Sequence, residues 1–554
     1  MPEIEMVDYI VVGAGSAGCV IANRLSENAG ETVALLEAGG KADKTVAKIP
    51  IGMIHAVRDP DLNWGYVSEP EPALNGRQIL VPRGRGLGGS SLINGLFYFR
   101  GHPLDFEDWR EMGCDGWGYA DVLPYFKRAE TSWRGAGPYH GDSGPLSVIP
   151  VNTRRLMPEP LKQSALAAGY GLCADYNSAE IEGFAPVEVT IDRDGQRAST
   201  SHAFLKPIAK QRPNLHIIAN AFAHRILIEN GRAVGVEYRD GDTVRQLRAA
   251  KEIILSAGVY GSAQLLLLSG IGPAAELSAL GIPPLVDLPG VGRNLSEHPR
   301  LPVQYAVRKP ITFLRELRFD RAAISFLQWA LLGTGPFATQ ISNGHLVTKS
   351  RPDLDRPDLQ MIFSPIRLDA RIWFPGIVAE QEHCIFTNAC LIKPKSRGHI
   401  ALRSARPEDT PKIFFNIFDH PDDLAALKEG LRITRRVMNT EPLKSLLRTE
   451  TIPGPAWQSE SELEEACRAM TDITHHPVGT CRMGKGPEAV VDPQLRVIGV
   501  SGLRVADAAI MPTVPCANTN AAAIMIGEKA ADIIRGRSLP AAPYQPARET
   551  VQAV

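Results

Sequence analysis

The chain has 554 residues, of which 44% are hydrophobic and 22% charged, and its net charge is −1. That length exceeds what one hydrophobic core usually supports, so two domains or one strongly elaborated domain are expected. The balanced charge gives no basis for affinity to nucleic acid or to an acidic membrane. Eight cysteines, none in a CxxC pair, are too sparse for a disulfide scaffold; they point to reduced thiols in a cytoplasmic protein and away from cysteine-held metal.

The first residues, Met1 to Met6, are acidic and lead directly into Tyr9-Ile-Val-Val12, so no signal peptide is expected. The run Tyr9 to Gly18, the helix-compatible Cys19 to Leu25 and Val33-Ala-Leu-Leu-Glu37 read as a strand, a glycine turn, a helix and a second strand ending in an acid. This is the pattern of a dinucleotide-binding unit. Gly13 permits the tight turn, Gly15 lets the backbone approach a pyrophosphate, and Gly18 lets the helix pack on the strand. The helix N-terminus offers unpaired N–H groups and a positive dipole end to the phosphates. Glu37, about 20 residues beyond the glycines, is placed to accept from a ribose hydroxyl.

Trp64-Gly-Tyr66, the glycine-rich Arg83 to Ser91 and an amphipathic segment at Val122 to Lys127 complete the first compact region. The pattern is irregular from Ile149 to Gln196, and then Leu215 to Ile218, Arg225 to Ile228 and Ala233 to Glu237 give short strands at hairpin spacing. The uncharged span Ile253 to Ala275 is long enough for a bilayer, but it reads otherwise. Ile253-Ile-Leu255 is a buried strand, Gly258 and Gly261 break the run, Ala263 to Leu268 is a short buried helix, and Ser269 to Pro273 stops it. No transmembrane segment is therefore expected. Residues 306–462 mix strands such as His399 to Leu402 with helices such as Asp422 to Met438, as in an antiparallel sheet backed by helices. Ser459 to Arg468 reads as a solvated helix, Gly502 to Asp507 as a strand ending in an acid, and Ala521 to Ile534 as a helix with Asn518, Thr519 and Asn520 at its start.

These readings predict an α/β protein. A Rossmann-like nucleotide-binding domain takes residues 1–150, 197–305 and 463–540; an α+β substrate domain built on an antiparallel sheet takes 151–196 and 306–462; 541–554 form a loosely held tail.

Five blocks, in this order, resemble the glucose-methanol-choline (GMC) oxidoreductases, FAD enzymes that oxidise alcohols: Gly13 to Gly18 with Glu37; Arg83 to Asn94; Gly258 to Gly272; His475-His-Pro-Val-Gly-Thr-Cys-Arg-Met-Gly484; and Gly502 to Gly527. The resemblance spans residues 7 to 536. Val259, Ala263 and Glu297 depart from the family pattern, the last standing where Asp is usual, and imply altered local packing. The glycine triplet alone suits NAD as well, but the other blocks resemble segments that wrap a flavin, so the resemblance implies FAD. Ile93 stands where some members tether the flavin to histidine, and no histidine lies between Arg83 and Gly101, which implies non-covalent FAD. Cofactor contacts are implied at Gly13, Gly15, Ser16, Ala17, Gly18, Glu37, Ala38, Trp64, Arg85, Gly88, Ser90, His475, Ala508 and Asn520. An adenine contact is implied at Ala223, and isoalloxazine contacts at Asn94, Gly95, Leu96 and Asp507.

Oxidation of an alcohol needs one base in reach of the hydroxyl and an electrophilic flavin N5 facing the carbon. The resemblance makes His476 the base and Asn518 the residue that holds the alcohol oxygen through its NH₂ donor. A helix starting after Asn520 would point N–H groups at the flavin; ordinary helix capping is the plain alternative for both asparagines. Neighbours in an extended chain point to opposite sides, so with His476 facing the flavin, His475 lines the pocket or is a half-buried structural histidine. The pair makes a poor metal site, and none is expected. Cys481 reads as a small packed side chain, and Trp64, Phe97 and Trp373 as core or as the lining of an apolar pocket. The expected reaction converts a primary alcohol to the aldehyde, with electrons passed to oxygen, a quinone or a redox protein; a flavin-bearing lyase on the same fold is the alternative. Thr334 to His345, in a loop resembling a pocket border, holds no carboxylate, which favours a neutral or aromatic alcohol over a cationic one such as choline.

Overall fold

A computed structural model describes residues 5–367 and 369–544. The opening unit forms as expected, with a strand at Met6–Val12, a helix at Ser16–Leu25 and a strand at Val33–Glu37. Ile10 to Val12 and Val33 to Leu36 are buried, as unbroken apolar runs covered on both faces should be. Five strands run parallel in the order Leu503–Val505, Thr243–Leu255, Met6–Val12, Val33–Glu37, Leu215–Ala219. Thr243–Leu255 is long enough to serve twice. Its first half pairs antiparallel with Arg232–Asp240, which pairs in turn with Ala221–Glu229. In register, Val12 stands beside Leu36 and Leu255, and Leu255 beside Val505. The turns after these strands therefore leave one sheet edge together, where parallel α/β sheets bind ligands.

A second, antiparallel sheet is ordered Leu447–Ile452, Pro299–Val307, Cys384–Leu391, Leu359–Ser364, Gly344–Thr348, Gly183–Ala185, with Asp472–Ile473 also on Pro299–Val307. Helix Pro421–Met438 lies across its middle strands. Helix Glu460–Met470, capped by Ser459 and Glu462, crosses residue 463 and packs on that helix. Together the sheets give the expected α/β architecture, a Rossmann-like part beside an α+β part.

Local expectations differ at three places. Residues 149–196 hold a helix, Pro158–Ala167, started by proline at its first position. The strand ends at Leu255 and Gly258 (φ 79°) makes the turn out of it, but the helix starts earlier than expected, running Gly258–Leu268 without a break at Gly261. Its start is stabilised from afar: the Asp507 carboxylate accepts from the Gly258 N–H (2.9 Å) and the Ser262 hydroxyl (2.6 Å), a cap that no local pattern discloses. Of the expected tail, 541–544 are held, the Ala542 N–H donating to the Ala120 carbonyl and Tyr544 packing on Tyr119; the remainder lies outside the described residues. Among the described residues no helix is long and apolar enough to cross a membrane.

Helix Ser16–Leu25 packs along helix Thr519–Ile534. Gly527 makes the approach possible, since a Cβ there would stand 2.7 Å from the Ala17 carbonyl oxygen. Beyond it, the fully buried Glu528 carboxylate is paired with Arg24 (2.8 Å) and Arg128 (2.7 Å). Gly527→Ala is expected to push the helices apart, costing about 1–3 kcal/mol by overpacking. Thermal unfolding and the flavin content of the purified variant check this, and an unchanged Tm with full flavin would refute it.

Candidate active site

Neither of these two helices is capped by a side chain. Gly15 and Asn518 occupy their N-cap positions without a side-chain hydrogen bond to the first turn, and the Ser16 hydroxyl donates to Asn520 Oδ1 (2.6 Å), joining the two ends. Two sets of free N–H groups and two positive dipole ends thus share one side of the sheet. The glycine turn is tight beneath them: a Cβ at Gly18 would stand 1.9 Å from the Gly13 carbonyl oxygen, whereas one at Gly15 would meet no heavy atom nearer than 3.8 Å. Backbone is close below and space is open above. Glu37, expected at a ribose, also ties the turns together: its buried carboxylate accepts from the N–H groups of Ala14 (2.9 Å), Gly39 (2.8 Å) and Gly86 (3.0 Å). Half-buried Ala38 follows it at the strand end.

The first glycine-rich block lies directly against this turn. The Gly88 N–H donates to the Ala14 carbonyl (2.8 Å), and Gly89 approaches Gly15 so closely that a Cβ would stand 2.7 Å from its Cα. Arg83 bridges onward, donating to the Ser90 hydroxyl (3.2 Å) and to the His475 carbonyl (2.8 Å). Asn94 is held by buried Arg197, which donates to its carbonyl (2.6 Å) and its side-chain oxygen (2.8 Å). After Gly95 the chain turns left-handed at Leu96 (φ 65°), a strained conformation for that residue. Toward Glu37, Arg85 sits 5.2 Å over the Trp64 ring, and Phe222, next to Ala223, lies 6.0 Å from Trp64. The Asp507 carboxylate, expected beside the isoalloxazine, is committed to Gly258, Ser262 and the Ala509 N–H (2.7 Å), so the chain at Asp507 and Ala508 is pinned to the edge of the turn.

His476 is reached at the far end. Its Nε2 lies 3.0 Å from Asn518 Nδ2, and its Nδ1 lies 3.0 Å from Thr474 Oγ1 and 3.1 Å from His298 Nδ1. An amide nitrogen has only hydrogens to offer, so Nε2 presents its lone pair and the ring proton sits on Nδ1, where the Thr474 hydroxyl, itself donating to the His298 carbonyl (3.2 Å), accepts it. The chain at His475 is a bend with φ 66°, not the extended backbone expected, and the His475 carbonyl rather than its ring meets Arg83. Glu297 explains the bend's stability: one carboxyl oxygen accepts from the backbone N–H groups of His476 (2.7 Å) and His298 (2.8 Å). Buried polar atoms here without a hydrogen-bond partner among the described residues include Asn518 Oδ1, His475 Nδ1, Glu297 Oε2 and His298 Nε2. Asn518 therefore stands at a helix cap without capping, its side chain turned to His476.

Burial dominates the electrostatics. It holds the His476 imidazole well below its ordinary range; a proton there would also repel any on His298 or His475, and the positive Arg83 and Arg300 lower it further. Burial likewise takes His298 and His475 down to about 3 and pushes the Glu297 carboxyl up to about 8. Arg300 is paired with Asp472 (2.9 Å). Cys481 is buried, with its thiol pushed far up. No motif spacing flagged Arg197, Arg300 or Thr474. Arg197 and Arg300 reach the site from parts of the chain distant in sequence, Thr474 directly precedes the His475-His476 block, and Glu297-His298 adjoins a block that the family pattern contains.

Two family models described as GMC oxidoreductase match residues 7–300 and 394–527. The chain belongs to the GMC oxidoreductase family. Oxygen-dependent choline dehydrogenases of Brucella suis biovar 1 (strain 1330) and Sinorhizobium fredii (strain NBRC 101917 / NGR234) are 40% and 41% identical to it over 534 and 532 residues, 96% of this chain and 96% of each relative. Among solved structures, pyridoxine 4-oxidase from Mesorbium loti superposes with TM-score 0.85 at 28% identity, covering 96% of this chain and 100% of that one. Formate oxidase from Aspergillus oryzae RIB40 superposes with TM-score 0.89 at 27% identity, covering 97% and 99%. This GMC oxidoreductase is an FAD enzyme acting on CH–OH groups. The uncapped helix starts, the open space over Gly15 and the orphaned Asn518 Oδ1 fit a dinucleotide lying between Trp64 and His476.

The Glu297 carboxyl titrates at about 8 in the fold against about 4.5 unfolded, so the folded state holds the extra proton between those values and loses stability as pH rises through them. Glu297→Gln keeps an oxygen for both backbone donors and removes that titration. Chemical denaturation should find the variant's stability declining less between pH 5 and pH 8, by up to about 1.4 kcal/mol per pH unit. Parallel pH profiles for variant and wild type would contradict a protonated Glu297.

Proposed function

We propose that this GMC oxidoreductase oxidises a neutral primary alcohol to the aldehyde, with His476 Nε2 taking the hydroxyl proton and Asn518 holding the oxygen. The observation that carries this is the 3.0 Å approach of Asn518 Nδ2 to His476 Nε2, both half-buried, at the end of the cradle. FAD, when bound, supplies the acceptor for the hydride from the alcohol carbon. An alcohol entering between the two side chains would donate its O–H to the Nε2 lone pair and accept from the Asn518 amide, replacing one hydrogen bond by two. The depressed His476 leaves its imidazole neutral across the working pH range, so the base is ready without first losing a proton. Thr474 holds the Nδ1 proton and so fixes the tautomer. Ile93, with no histidine between Arg83 and Gly101, supports non-covalent FAD, and the eight unpaired cysteines support a cytoplasmic, reducing location. Oxygen, named in the choline dehydrogenase relatives, is the acceptor the comparisons favour, with a quinone or redox protein as the other classes.

Choline, the substrate in those relatives' names, needs a free negative charge near the histidines. Here Asp472 is tied to Arg300, the Glu297 carboxyl is held in its neutral range, and Arg83 and Arg300 both raise the local positive potential. This favours a neutral alcohol.

His476→Ala is expected to lower kcat/KM by about 10²–10⁴ with flavin retained, and wild-type kcat/KM to show no acid limb near pH 6.5. Asn518→Ala should lower it by about 10–100-fold through lost orientation. Full activity in His476→Ala would end the reading, as would intact turnover without bleaching of the flavin under anaerobic alcohol, the behaviour of a lyase. In a substrate panel read with an artificial dye, benzyl alcohol and short aliphatic alcohols should exceed choline in kcat/KM by about tenfold or more, the cost of roughly 1.4 kcal/mol of unfavourable charge. A preference for choline would reverse the substrate assignment.

A further inference from the structure

Helix Phe319–Leu332 presents its apolar side chains outward. Ile324, Leu331 and Leu332 are exposed by 64%, 78% and 70%, Phe319, Phe326 and Leu327 by 42% to 55%, and only Ala322, Ser325 and Trp329 are buried against the protein. The helix is held in place all the same, since the Trp329 indole N–H donates to the Gly195 carbonyl (2.8 Å). Beside it, the loop at 372–377 exposes Ile372, Phe374 and Ile377. Helix and loop form one surface: the Phe319 N–H donates to the Trp373 carbonyl (2.9 Å), and the Phe319 and Phe374 rings meet edge to face at 5.7 Å. Single exposed apolar residues need no explanation, but nine large ones on one surface mark an interaction site.

The charges around this surface are unevenly matched. Asp320 is paired with Arg318 (2.6 Å), Glu316 with Arg155 (2.6 Å) and Asp369 with Arg367 (2.9 Å), and Glu380 faces His383 (3.1 Å). Arg315, Arg321 and Arg371 have no ion pair among the described residues. The rim therefore carries excess positive charge, although the whole chain is balanced. A second copy docking here about a two-fold axis would bring the same three arginines against their own counterparts, which disfavours self-association. An anionic lipid surface instead offers hydrocarbon to the apolar face and negative headgroups to the arginines.

We propose that this GMC oxidoreductase docks on anionic bilayers through the outer face of helix Phe319–Leu332 and the 372–377 loop, as a peripheral protein. The buried cluster beneath, which includes Leu314, Leu317 and Trp329, extends to Leu96 and Phe97 beside Asn94. The inference does not depend on which alcohol is oxidised.

The test is flotation of the FAD-loaded enzyme with vesicles of phosphatidylcholine mixed with phosphatidylglycerol, or of phosphatidylcholine alone. The wild type is expected to float with the anionic vesicles and weakly with the neutral ones. The triple variant Leu327→Asp, Leu331→Asp, Ile377→Asp should reduce vesicle binding by about tenfold or more, and Arg315→Gln, Arg321→Gln, Arg371→Gln should abolish the preference for anionic lipid. Both variants should keep wild-type flavin content, Tm and turnover of a water-soluble alcohol, which separates lost docking from lost folding. Wild-type enzyme that stays with the protein fraction at low salt would overturn the proposal. So would binding undiminished in the Asp variant, or a dimer seen by sedimentation equilibrium that the Asp variant dissociates.

Discussion

Two helices that start without side-chain caps lie side by side because Gly527 lets one backbone approach the other, and the remaining features of the site follow from that contact. Their aligned N-termini concentrate donors and positive potential over the same sheet edge, which would be unfavourable with nothing bound and becomes favourable when phosphate groups and an electron-rich ring lie there. The same contact carries Asn518 from the C-terminal region to the opening glycine turn. Glu528, buried between Arg24 and Arg128, supports it through ion pairs whose loss would leave a charge stranded in the interior.

At the other end of the cradle the governing effect is desolvation. His298, His475 and His476 cluster where each would repel a proton on the next, and burial keeps all three neutral. Glu297 takes part by accepting two backbone hydrogen bonds with one oxygen, which bends the chain at His475 and brings the following ring toward Asn518. A shorter Asp at this position would have to draw the backbone closer to make the same two bonds. With its carboxyl held in its neutral range by burial, Glu297 leaves the pocket with little negative charge.

A balanced net charge says nothing about how charge is distributed. Across the chain, acids and bases nearly cancel, yet around helix Phe319–Leu332 Glu316, Asp320 and Asp369 are paired with arginines while Arg315, Arg321 and Arg371 have no ion pair among the described residues. The composition that argued against affinity for acidic membranes averaged over this asymmetry.

Sequence alone determined the opening strand–turn–helix–strand, the apolar parallel strands, the amphipathic helices and the pairing of His476 with Asn518 as candidates, because period, glycine spacing and a family pattern are local or linear signals. It placed the start of the helix after Leu255 too late, since its cap arrives from Asp507, and misread the backbone at His475, whose bend is held by Glu297 from the loop before strand Pro299–Val307. It had no means of finding Arg197 at Asn94, Thr474 on the His476 Nδ1 proton, or the contiguity of Phe319 with Phe374. The first and last are contacts between residues far apart in the chain, and the second joins residues only two apart across the bend at His475. Such contacts decide which of several permissible local conformations is stabilised, and only the folded arrangement of the two sheets brings them within reach.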